Sequence, residues 1–106
     1  MSLSSSSWSS LSDRNKKDNI IKLNYINILE KLDKIDIYDY NYKSQDKSVR
    51  TMGPMAQEWY EQFKTNKNQL MIEIIDLNGV SLVSIKGLYE INKEQEKINK
   101  NLYELI

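Results

Sequence analysis

The chain has 106 residues, of which 40% are hydrophobic and 28% are charged, and its fifteen basic residues balance fifteen acidic ones. A chain of this length forms one small domain that buries a modest part of its unfolded surface, so association of several copies is a common source of stability. The balanced charge provides no field to attract nucleic acid or an anionic membrane, and no apolar run is long enough to cross a bilayer. We therefore expect no nucleic-acid partner and no membrane partner.

Neither cysteine nor histidine occurs in the chain. The first absence excludes disulfides, thiolate nucleophiles and cysteine-based zinc sites, and the second removes the usual general base and the commonest metal ligand. Any nucleophilic catalysis must therefore use a Ser, Thr or Tyr hydroxyl activated by Lys, Asp or Glu. We expect no metal and no cofactor.

The first half of the chain predicts a leader, a helix and a strand. Residues 1–11 are rich in serine and predict a flexible upstream segment or an artificial leader, in which Trp8 is either incidental or docked on a neighbour. Apolar residues three apart predict a helix over residues 24–33. Alternation with tyrosines on one face predicts a strand over residues 35–43, and the polar residues 44–51 predict a loop.

The second half begins with a helix-favouring run over residues 56–63. Residues 70–75 are apolar and rich in β-branched side chains, and the pair Asn78-Gly79 is a strong turn signal. The sequence therefore predicts a β-hairpin that leads into Val80.

A last helix is predicted over residues 81–106, with Ser81 as its N-cap. Heptad spacing places six of its residues at the a and d positions of a seam: Leu88, Ile91, Gln95, Ile98, Leu102 and Leu105. The surrounding positions are almost all Asn, Lys and Glu, which favours an intermolecular coiled coil over packing on the helix's own domain. Gln95 is a polar member of the seam, of the kind that fixes register at some cost in stability.

Short motifs occur in one order along the chain. Ser12-Asp13 is followed by Lys17, five residues after the serine, and then by Asn19-Ile20. Alternating aromatics and a Gly-x-x-Ala-Gln-Glu motif come next, formed by Tyr40, Tyr42, Gly53, Ala56, Gln57 and Glu58.

This order resembles the C-terminal intramolecular chaperone domain of phage tail spikes, tail fibres and neck appendages, also called the peptidase S74 domain. The resemblance covers residues 11 to about 98, with Gly79 in the family's hairpin and the family's last helix from Ser81 onward. It implies that residues 12–106 are an α+β domain of short helices, a strand and a β-hairpin. It also implies a homotrimer in which residues 81–106 form a trimeric coiled coil.

The resemblance further implies that the domain aligns an upstream stalk of the same polypeptide, in a virion appendage or tail precursor assembled in the host cytoplasm, and is released after cleavage. Ser12 is then the nucleophile and Lys17 its base, with Asp13, Gln57 and Glu58 supporting the cleavage site. A lysine acts as a base only where burial or nearby cations keep part of its amine neutral. The bond cut lies either before Ser12 or between Ser12 and Asp13.

Simpler interpretations of the same residues stay open. Ser12 and Asp13 can cap a turn, Lys17 can be a solvated surface lysine, and Gln57 with Glu58 can belong to an ordinary helix N-terminus. The function is then one of three: a self-releasing trimeric chaperone, a non-catalytic trimerisation or binding module, or a monomeric adaptor whose last helix docks on a partner helix.

Overall fold

The computed structural model describes residues 12–105, so the predicted leader with Trp8 lies outside the described residues, as does Ile106. Within 12–105, a short 3-10 helix precedes three α-helices and a two-stranded sheet. The elements are the 3-10 helix Arg14–Lys16, α1 Tyr25–Asp33, β1 Tyr38–Tyr40, β2 Thr51–Gly53, α2 Ala56–Phe63 and α3 Ile74–Glu104. The predicted α+β class with a long last helix is confirmed. Over the same residues, no helix combines the length and the apolar character that a membrane crossing requires.

Helices α1 and α2 form where the sequence predicts them. The side chain of Asn24 caps α1 by accepting hydrogen bonds from the backbone N–H groups of Ile26 and Asn27, at 2.9 and 3.2 Å. The apolar spacing then turns Ile28 into the core, where it is buried. Helix α2 buries Trp59 on the same core.

The strand is shorter than the predicted 35–43, and its partner lies in an unexpected place. β1 pairs antiparallel with β2, with Tyr38 opposite Gly53 and Tyr40 opposite Thr51. The strand starts late because Ile35 turns into the core instead of joining the ladder. The predicted loop is confirmed up to its last residue, which begins β2.

The predicted hairpin over residues 70–80 is wrong, since α3 begins at Ile74 and continues through the Asn78-Gly79 pair. Leu77 and Val80 follow the helical spacing and pack on the core. Burying such a side chain stabilises by about 1.5–3 kcal/mol, whereas one glycine inside a helix costs about 1 kcal/mol, so packing outweighs the local turn preference.

Ser81 is consequently no N-cap. It lies inside α3, and its hydroxyl donates a hydrogen bond to the Leu77 carbonyl at 2.8 Å. The true start of α3 is stabilised by Lys67, whose Nζ lies 2.8 Å from Asp76 and 3.0 Å from Glu73. These two carboxylates, Asp76 first, raise the pKa of Lys67 above its usual value.

The core lies between α1, α2 and the first half of α3. Among the described residues 12–105, its four buried apolar residues are Ile28, Ile35, Trp59 and Val80. Helix α1 approaches α3 closely at Gly87, where an added Cβ would lie 2.7 Å from the Cβ of Tyr25. Every residue from Leu88 to Leu105 is exposed, so the second half of α3 extends past the core.

Candidate functional site

Local structure brings the two predicted catalytic residues together. The Asp13 carboxylate accepts a hydrogen bond from the Asn15 N–H at 2.9 Å, and the Asp13 carbonyl accepts one from the Lys16 N–H at 3.0 Å. These bonds close the 3-10 helix and bend the chain back towards its start. As a result, the Nζ of Lys17 donates a hydrogen bond to the Oγ of Ser12 at 2.8 Å.

This geometry suits proton transfer from the hydroxyl to an amine, provided that the amine is neutral. Ser12 and Lys17 are both exposed, however, and so is every residue of the segment 12–24. Within one chain, therefore, water surrounds the pair. After the pair the chain turns at Asn19, whose φ of 53° lies in the left-handed region that asparagine tolerates.

Asp13 has a structural role in this arrangement. Its carboxylate is engaged by the Asn15 N–H as the N-cap of the 3-10 helix. Asp13 therefore fixes the bend that sets the distance between Ser12 and Lys17.

The Gly-x-x-Ala-Gln-Glu motif ties α2 to the sheet. Gly53 ends β2 opposite Tyr38, and the hydroxyl of Tyr38 donates a hydrogen bond to Glu58 Oε1 at 3.0 Å. This hydrogen bond, followed by desolvation, raises the pKa of Tyr38 above its usual value. Gln57 is exposed. Within residues 12–105, no hydrogen bond joins Gln57 or Glu58 to the Ser12–Lys17 pair.

The predicted seam lies beyond Gly87, with five residues on the second half of α3 and Leu105 at its C-cap, and all six side chains are exposed. The side chain of Gln95 donates a hydrogen bond to Asn99 along the helix at 2.8 Å. Leu77 and Ser84 hold the same heptad position as Ile91, two heptads and one heptad earlier respectively, but they face the chain's own core. The seam is therefore open to another molecule only after Gly87.

A groove of about 780 Å³ beside the motif was not anticipated from the sequence. Its rim carries Met52, Leu70 and Met71, which are 81%, 71% and 68% exposed. The apolar run at Leu70 and Met71 is the signal that could have indicated it, but that run also fits the strand that we expected there. Within residues 12–105, no group of three acidic side chains could hold a metal ion.

Comparison with known proteins adds one family. No curated protein matches the chain significantly. The sequence profile of Peptidase S74, described as chaperone of endosialidase, matches residues 12–67, which is more than half of the chain. The match begins at Ser12 and includes Lys17 and the motif from Gly53 to Glu58. It supports a chaperone role of the endosialidase type and a peptidase of the self-cleaving kind. The chain therefore belongs to the peptidase S74 family, the chaperones of endosialidase.

Proposed function

We propose that the chain is an intramolecular chaperone that trimerises, aligns an upstream fibrous stalk of the triple β-helix type, and then releases itself by cutting the backbone near Ser12. The stalk belongs to a viral appendage or tail protein that assembles in the host cytoplasm. The observation that carries this proposal is the 2.8 Å contact between Lys17 Nζ and Ser12 Oγ, at the start of the region that matches the family.

The reaction needs no external substrate, because the bond to be cut adjoins the nucleophile. Ser12 Oγ attacks the carbonyl carbon of a neighbouring peptide bond and forms a C–O bond, while the C–N bond breaks. The hydroxyl proton passes through Lys17 to the departing amine, and water then hydrolyses the resulting ester. The tether supplies the proximity that an ordinary protease obtains by binding, and each chain is cut once.

Assembly would shield the Ser12–Lys17 pair from water, which surrounds the pair in a single chain. The chain has 9696 Å² of accessible surface, whereas a folded monomer of its 12.5 kDa mass exposes about 6,200 Å². This excess supports association, and a neighbouring copy lying against the segment 12–24 would exclude water from the Lys17 amine. Cutting would then follow correct assembly.

The proposed order of events also serves the stalk. Three chains of a fibrous trimer must be aligned before any long-range contact stabilises them, so unaided nucleation is slow and prone to aggregation. A module that trimerises readily holds the three stalk ends at high effective concentration. Its removal afterwards leaves a stalk protected by its own unfolding barrier.

The test uses the chain joined to its natural upstream stalk, with the intact mass and oligomeric state of each product measured. We expect the unchanged chain to lose mass by a cut near residue 12. Ser12→Ala and Lys17→Ala should stop the cut and leave the trimer intact. Lys16→Ala is the matched control, because it removes a neighbouring exposed lysine that does not contact Ser12. Unchanged cutting in both Ser12→Ala and Lys17→Ala would overturn the catalytic assignment.

A second candidate function is a trimerisation module without catalysis. It is favoured by the exposure of Ser12 and Lys17 and by the use of Asp13 as a cap. This candidate predicts the same trimer but no processing of the joined chain. The experiment above therefore separates the two.

A further inference from the structure

Helix α3 carries a second apolar surface that the heptad seam does not include. We call it the outward stripe; it consists of Ile75, Leu82, Ile85 and Tyr89, each between 59% and 64% exposed. The spacings of seven, three and four residues place all four on one side of the helix. The four side chains are uncharged, with Lys86 and Glu90 towards the edge of the stripe and Lys93 Nζ 4.9 Å from the centroid of the Tyr89 ring at its end.

The outward stripe and the seam lie on different sides of α3. At about 100° per residue, the outward stripe is centred roughly half a turn from Val80, Ser84 and Gly87, which face the chain's own core. The seam continues the core-facing side, since Ile91 follows Ser84 by one heptad. A straight helix therefore cannot turn both surfaces towards one three-fold axis.

The area available for contacts exceeds what a monomer would leave exposed. The twelve residues outside 12–105 account for at most about 160 Å² each, which leaves about 1,600 Å² of the chain's 9696 Å² above the value for a folded monomer. A standard interface buries about 800 Å² of each partner, and each copy in a cyclic trimer takes part in two interfaces. The excess matches that requirement.

We infer that the outward stripe is a second interface of the trimer, covered by the folded part of a neighbouring copy of this chain. This inference rests on the proposed function, because it assumes the trimer. Each α3 then contacts neighbouring copies through two surfaces. Beyond Gly87 it contacts them through the seam, and mainly before Gly87 it contacts the folded part of one neighbour through the outward stripe. Because the four side chains of the stripe are uncharged, the neighbour covers them with apolar side chains.

The absence of cysteine allows a direct test with single thiols. Leu82→Cys places a thiol in the outward stripe, and Glu96→Cys places one at the same heptad position two heptads later, beyond the core. In a trimer verified by sedimentation, we expect Leu82→Cys to react with a maleimide about tenfold or more slowly than Glu96→Cys, because access limits thiol reactivity. Dissociation to folded monomers should bring the two rates together. Ile75→Cys repeats the test if Leu82→Cys fails to fold.

Three results would overturn the inference. Equal rates in a verified trimer would reject the second interface and leave the proposed function standing. If Leu82→Cys still reacts slowly in monomers, the outward stripe is covered by residues 1–11 of the same chain and not by a neighbouring copy. An unchanged chain that is monomeric at every concentration would reject the trimer itself, and this interface with it.

Discussion

Tyr38 and Glu58 are twenty residues apart in sequence, and a single hydrogen bond between them joins β1 to the first turn of α2. Because this bond raises the pKa of Tyr38, the folded chain holds the phenol proton more tightly than the unfolded chain. Its contribution to stability is complete below the usual tyrosine pKa of about 10 and is lost as the pH rises through the folded value.

We therefore expect Tyr38→Phe to lower the melting temperature near neutral pH. When the pH is raised to about one unit above the usual tyrosine pKa, the melting temperature of Tyr38→Phe should fall by less than that of the unchanged chain. Thermal melts followed by circular dichroism measure both effects. Tyr103→Phe, at the exposed end of α3, is the matched control and should melt like the unchanged chain. An equal alkaline loss in Tyr38→Phe would contradict the role of this bond.

For single residues, the sequence indicates contacts between residues that are close along the chain, but not contacts between residues that are far apart along it. Ser12 and Lys17 are five residues apart, and the bend that joins them is made by the residues between them, so the resemblance to the family names this pair within one short segment. The contact of Glu58 with Tyr38 depends on the register of the sheet, which brings Gly53 opposite Tyr38. No local pattern in the sequence specifies that register.

At the scale of the element, α3 shows where local signals compete with packing. Asn78-Gly79 has the strongest turn preference in the chain, yet the pair is helical because Leu77 and Val80 bury their side chains in the core. Helices α1 and α2 were predictable, since in them the apolar spacing and the local preferences agree. The need for a glycine at position 87 was not predictable, because it depends on the close approach of Tyr25, which is distant in sequence.

Two glycines of α3 give a matched pair of substitutions. An added Cβ at position 79 meets nothing within 4 Å, so Gly79→Ala should stabilise the chain by about 0.5–1 kcal/mol through helix propensity. At position 87 the Cβ would lie 2.7 Å from Tyr25, so Gly87→Ala should destabilise it by about 1–3 kcal/mol through overpacking. Urea unfolding at equal protein concentration measures both. Stabilisation by Gly87→Ala would contradict the close approach of α1 to α3.

At the scale of the whole molecule, the core is small and the second half of the long helix α3 lies outside it. Only four apolar residues are buried within residues 12–105, and the radius of gyration is 18.8 Å, where a compact domain of this length has about 13 Å. The coiled coil stays a prediction; heptad spacing placed its seam at residues that are exposed in one chain. The spacing did not predict the outward stripe, because the side that the core covers was unknown until α1 was placed.

The central claim is that copies of this chain assemble into a trimer, and sedimentation equilibrium of the isolated chain tests it most directly. We expect one species with three times the chain mass, dissociating on dilution without a stable dimer. A species with the mass of a single chain at all concentrations would contradict the account.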